Sequence, residues 1–172
     1  MKRMTIAFHQ VDSDDLESIL EDGLVRHSRG ELGDDKAIVA TDQLLDKRRP
    51  DSLLVAGVSR DDNIYAYVHI HGHVIDIVDG SELTVAEFIR QSEEVVLELR
   101  LDATRCFVSS LDQYDALKHA MTDGATASLL DSLADQYWHS LVPLTDYDRR
   151  TIARPEIMIT YDVKPSDITK CA

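Results

Sequence analysis

Asn63-Ile64-Tyr65-Ala66-Tyr67-Val68-His69-Ile70-His71-Gly72-His73-Val74-Ile75-Asp76-Ile77 alternates along its whole length. Tyr65, Tyr67, His69, His71 and His73 fall on one side, and Ala66, Val68, Ile70, Gly72 and Val74 on the other. That period of two belongs to a strand with one apolar face. The spacing predicts one long strand over 63–77, closed by the turn signal Asp79-Gly80. Downstream, Thr84-Val85-Ala86-Glu87 reads as a capping box opening a helix to about Gln91. Val95 to Leu101 and Arg105 to Ser109 then read as two strands. Ser110-Leu111-Asp112-Gln113 opens a further helix to about Met121, and Leu129, Leu130, Leu133, Ala134 and Tyr137 share one face of another. The chain returns to strand at Glu156-Ile157-Met158-Ile159-Thr160-Tyr161.

Upstream, Met4 to Phe8 is a strand candidate. Ser13-Asp14-Asp15-Leu16-Glu17-Ser18-Ile19-Leu20-Glu21-Asp22-Gly23-Leu24 has a polar cap, acids in its first turn, apolar Leu16, Ile19 and Leu20, and a glycine stop. Val25 to Lys36 reads as a loop, Ala37 to Thr41 as a strand and Asp42 to Arg49 as a short helix ended by Pro50. Ser52 to Val58 fits either a buried helix or a strand. Strands that flank a helical insertion, without a regular βαβ repeat, predict an α+β fold. Without repeats or a Pro/Gly-rich linker, the chain is expected to be a single domain over 1–172.

The 172 residues carry 18 Lys+Arg against 32 Asp+Glu, a formal charge of −14. So negative a surface repels phosphate backbones and argues against broad nucleic-acid binding. No window approaches the roughly 18 apolar residues of a membrane helix, and the N-terminus has no signal-peptide core. We therefore expect a cytoplasmic protein with no membrane partner. Cys106 and Cys171 have neither metal-site spacing nor the density of a disulfide scaffold.

Three groups of residues invite chemistry. His69, His71 and His73, about 6.5 to 7 Å apart on one strand face, could converge on a metal if the strand bends, which would make a metal-dependent enzyme. His9 ends the first strand just before a capped helix, where a side chain can project into a cleft. Glu156 begins an apolar strand, where a carboxylate is costly unless it sits at an edge or does work.

The chain ends carry a resemblance. Phe8-His9-Gln10-Val11, followed by Leu16-Glu17-Ser18-Ile19-Leu20-Glu21-Asp22-Gly23-Leu24, resembles the opening of ADP-ribosyltransferase-fold proteins, where a strand ending in His-x-Thr precedes L-x-x-I-L-x-x-G-L. Arg154-Pro155-Glu156-Ile157-Met158-Ile159, then Val163-Lys164-Pro165-Ser166-Asp167-Ile168, is similar to that superfamily's closing Glu-Ile/Val-x-Ile strand and Val-x-Pro-x-x-Ile tail. The resemblance covers about a third of the chain. It implies split antiparallel sheets with flanking helices and a helical segment before the last strand. It also implies NAD as substrate, its nicotinamide–ribose bond broken through an oxocarbenium-like state. By position, His9 would hold ribose hydroxyls and Glu156 would oppose the developing positive charge. Tyr65 or Tyr67, with Tyr67 preferred, would stack on nicotinamide. Arg26 or Arg29 would meet the pyrophosphate, with Arg60 a further candidate.

The chain departs from the pattern in two places. Val11 stands where the motif has Thr, and Arg154-Pro155 stands where arginine-modifying members have Gln/Glu-x-Glu, which argues against that activity. The acidic surface argues against the related RNA 2′-phosphotransferases. The acceptor of ADP-ribose stays open among a protein, a nucleic-acid base, a small molecule and water. A non-catalytic nucleotide-binding or interaction domain on the same fold is the alternative.

Overall fold

The computed structural model describes residues 3–27 and 35–171. Strand β1 (Met4–Val11) leads through a short 3₁₀ turn into α1 (Leu16–Asp22), followed by α2 (Lys36–Lys47) and α3 (Asp51–Val55). Next come β2 (Ile64–Ile70), β3 (His73–Ile75), β4 (Glu82–Thr84), α4 (Val85–Gln91), β5 (Val95–Asp102) and β6 (Cys106–Ser110). Helices α5 (Leu111–Thr122) and α6 (Ala127–Ser140) precede β7 (Val142–Pro143), β8 (Pro155–Ile159) and β9 (Ile168–Lys170). The fold is α+β, and the pairings between these strands are antiparallel. Among the described residues no helix is long and apolar enough to cross a membrane.

The strands form one path, β7-β6-β8-β2-β1-β5-β9, with β3 and β4 as a flap on β2. Strand β1 pairs with β5 from Met4↔Asp102 to Val11↔Val95, but meets β2 only at Ala7↔Val68 and Phe8↔Tyr67. Strand β8 meets β2 at Ile64↔Ile159, Tyr65↔Met158 and Ala66↔Ile157. Thus β2 pairs with β8 over Ile64 to Ala66, with β1 at Tyr67 and Val68 and with β3 at His69 and Ile70, and the sheet opens where β8 and β1 leave it. Ala7, Val68, Leu97, Leu99, Ile157 and Ile159 pack the main core. Leu45, Leu117, Ala134, Tyr137, Trp138 and Met158 form a second core beneath α2, α5 and α6.

Two sequence expectations are corrected. The long strand over 63–77 is a hairpin: His71 (φ 50°) and Gly72 (φ 78°) both occupy the left-handed region and turn the chain back, pairing His69 with Val74 and Ile70 with His73. A two-residue turn with both φ positive matches the twist of the strands it joins, and histidine followed by glycine tolerates it. The three imidazoles therefore do not share a strand face, and the premise of a metal site on them is removed. Among the described residues no group of three His, Cys, Asp or Glu is placed to hold a metal ion. Second, Ala37–Thr41 is helical, not a strand. Asp35 caps the helix by accepting from the Ala37 N–H at 2.7 Å, and Thr41, Asp42 and Leu45 are buried in it. A five-residue apolar run does not distinguish the two states, and the cap decides. The ambiguous 52–58 stretch contributes the short helix α3, on which Val55 is 88% exposed.

The two chain-end segments meet. Leu24 and Val163 exchange backbone hydrogen bonds at 2.9 Å. Beside them Gly23 has φ 93° and ψ −179°, a conformation open essentially to glycine alone. A Cβ there would lie 2.3 Å from the Val163 carbonyl oxygen. The helix stop read from Gly23 is thus also the seat for the closing tail.

Candidate active site

A cleft of about 170 Å³ lies where the sheet opens. Its floor is the Tyr65-Ala66-Tyr67 stretch of β2. His9 and Gln10 enter from β1, Glu156 from β8, and Ile77 and Glu94 from the segments after β3 and α4. His9, Tyr65, Tyr67 and Glu156, named from distant parts of the chain, are brought together here. The volume is below the roughly 300–1,000 Å³ of a site enclosing a whole drug-sized ligand. It suits one ring of a larger molecule.

His9 Nδ1 meets the Tyr65 carbonyl oxygen across the gap between β1 and β2. A carbonyl only accepts, so Nδ1 carries the proton and Nε2 of the neutral ring is an acceptor. Burial lowers the His9 pKa below 6.5, and the bond to Tyr65 opposes that only in part. Hence the folded chain takes up this proton less readily than the unfolded one. The stability this histidine contributes is fully present above pH 6.5 and is lost as pH falls from there toward the lowered folded value. Denaturant midpoints measured across that range should fall for the wild type, and the His9→Gln variant should lack this part of the decline.

Tyr67 donates from its hydroxyl to Gln10 Oε1 at 2.8 Å, and its ring lies 4.7 Å from that of Phe88. Burial first, then the charges of Asp76, Glu156 and Glu94, pushes its phenol up to about 12, so it stays a neutral donor. Tyr65 donates from its hydroxyl to the Arg60 carbonyl oxygen, and the Arg60 guanidinium lies 4.5 Å over its ring.

Arg60 is 1% exposed. Its Nη1 donates to Glu156 Oε1 at 3.0 Å and to the Tyr137 hydroxyl at 3.1 Å, and its Nε donates to Asp42 Oδ1 at 3.3 Å. Tyr114 covers its other side at 4.4 Å. A pyrophosphate cannot reach this guanidinium, so the sequence-based role for Arg60 is corrected: it is the internal counter-ion of Glu156. The neighbouring charges hold it protonated against the cost of burial, its pKa well above the ordinary value. Arg60 is shared between Asp42 and Glu156, while the cleft lining itself carries two carboxylates, Glu94 and Glu156. Such a lining favours a cationic ligand group or a transition state that gains positive charge.

Arg26 lies apart from the cleft lining. Its backbone N–H and Nε both donate to Asp162 Oδ1, at 3.0 and 3.2 Å. Arg29 lies outside the described residues. Val11 is 7% exposed and packed in the main core, so the missing threonine hydroxyl has no substitute at that position. Gln10, Asp42 and Glu94 were not singled out from sequence. Gln10 adjoins His9, while Asp42 and Glu94 join the site through packing that no local pattern encodes. A larger open depression, about 610 Å³, runs along the outside of α6. The described residues lining it all come from that one helix, and its Asp131 and Asp135 bind Arg48, so it is helix surface and not a cleft.

Comparison with protein-family models, with curated proteins and with solved structures finds no match.

Proposed function

We propose that the cleft takes the nicotinamide end of NAD and that the protein transfers ADP-ribose from it or hydrolyses it, on an ADP-ribosyltransferase-like fold. The observation that carries this reading is the convergence of His9, Tyr65, Tyr67 and Glu156 on one ring-sized cleft lined by the carboxylates of Glu94 and Glu156. In this reading His9 Nε2 accepts from a ribose hydroxyl, Tyr67 lies against the nicotinamide ring, and the Glu156 carboxylate opposes the charge growing at the ribose. The pyrophosphate and adenosine lie outside the cleft.

Ligand-observed saturation-transfer NMR tests the binding mode. With NAD, the nicotinamide protons should receive more saturation than the adenine protons. No transfer, or transfer mainly to adenine, contradicts the reading.

A second reading is NAD binding without turnover. The bond from Arg60 Nη1 to Glu156 Oε1 favours it, because it gives the carboxylate a structural reason to be there.

A further inference from the structure

We infer that Glu94 is the acceptor-side carboxylate of this cleft: it takes the proton of the attacking group and confines acceptors to uncharged or cationic nucleophiles. The inference rests on the NAD reading and extends it to the second substrate. Glu94 and Glu156 reach the same cleft from different elements, the turn before β5 and the start of β8. They differ in environment. Glu156 is buried and tied to Arg60, whereas Glu94 is exposed to solvent. The first is placed to act on a bound ring, and the second to meet whatever arrives from outside and to return a proton to water.

The backbone at Glu94 is also held in position. The Ser92 hydroxyl donates to the Glu94 carbonyl oxygen at 2.9 Å and accepts from the Glu94 N–H at 3.2 Å. It also accepts from Gln10 Nε2 at 2.9 Å, and Gln10 Oε1 accepts from the Tyr67 hydroxyl. The turn that carries Glu94 is thereby tied to the tyrosine proposed to face nicotinamide. Among the described residues that line the cleft there is no Lys or Arg, so an anionic acceptor meets two carboxylates there.

In the step itself the ribose C1′–nicotinamide N1 bond breaks and its electron pair goes to N1, which turns the pyridinium into neutral nicotinamide. A lone pair of the acceptor forms the new bond to C1′. The proton the acceptor loses goes to the Glu94 carboxylate and from there to solvent.

The test is nicotinamide release from NAD by wild type and Glu94→Ala, each with and without sodium azide, a nucleophile that has no proton to lose. In water alone the variant should be slower by about 10²-fold, the lower end of what a positioned base supplies. Azide should restore at least about tenfold of that loss with ribosyl azide as the product, because the alanine removes both the base and the repulsion. It should not accelerate the wild type. Because Glu94 is exposed, the variant is expected to fold. A variant as fast as wild type, a slow variant that azide does not restore, or a wild type accelerated equally by azide overturns the role of Glu94 alone. No release from the wild type, with or without azide, overturns the role of Glu94 and leaves NAD binding without turnover; no saturation transfer from NAD in addition overturns the NAD reading itself.

Discussion

Replacing Glu156 with glutamine should lower nicotinamide release from NAD by about 10²–10³-fold, the loss seen when one electrostatic group facing a developing charge is removed. The variant should still fold and bind. Glutamine keeps an oxygen that can accept from Arg60 Nη1, so the 3.0 Å contact can persist while the charge is removed. The Arg60–Asp42 contact is left in place. What is lost is one of the two carboxylate charges lining the cleft, which matters most when the ribose carries positive charge and little in the ground state. The effect should therefore appear in kcat more than in KM. A chromatographic assay of nicotinamide, with thermal unfolding of both proteins alongside, separates this from a folding defect. Equal rates in the two proteins would reduce Glu156 to an anchor for Arg60.

Replacing Arg60 with methionine should cost about 3–5 kcal/mol of stability, the usual result of leaving buried charge without its partner, or roughly 6–20 °C in Tm. Asp42 is 0% and Glu156 9% exposed, and both would lose the guanidinium that compensates them. Tyr65 and Tyr114 would also lose the cation between their rings. A buried carboxylate without a cation takes up a proton more readily, because burial disfavours its charged form. The deficit should thus be largest near neutral pH and shrink as pH is lowered toward about 5, where protonation of the two acids relieves it. Thermal unfolding of wild type and variant across that range measures it. A variant within about 1 kcal/mol of wild type at neutral pH would show that the buried group is not held as described.

How much of this was legible in the sequence depends on how local each signal is. The Thr84–Glu87 capping box makes both of its hydrogen bonds, the Ser110 side chain accepts from the Gln113 N–H, and Gly23 ends α1. Each is written within a few residues. The His71-Gly72 turn was equally local but hidden, because the alternation continues in register on both sides of it. Asp35 lies in a stretch that reads as loop, so the cap and the first turn of α2 are not visible in the local pattern. The cleft shows the same division. His9 and Glu156 were found through motifs at the chain ends, and Tyr65 and Tyr67 through their place on the central strand. Arg60 reads in sequence as a further candidate for the pyrophosphate, since its partners Asp42, Tyr137 and Glu156 are far from it along the chain. Glu94 stands in an acidic Glu93-Glu94 pair before a strand, indistinguishable in sequence from solvated surface. Its relation to Tyr67 depends on Gln10, near the end of β1, and Ser92, just after α4, which packing and not spacing brings together.

The most direct measurement is release of nicotinamide from NAD by the folded wild-type protein, quantified by chromatography beside Glu156→Gln. Release by the wild type, with the variant at least about 10²-fold slower, is the expected result. No release from the wild type, or equal release from both, would contradict the assignment of this cleft to NAD chemistry through Glu156.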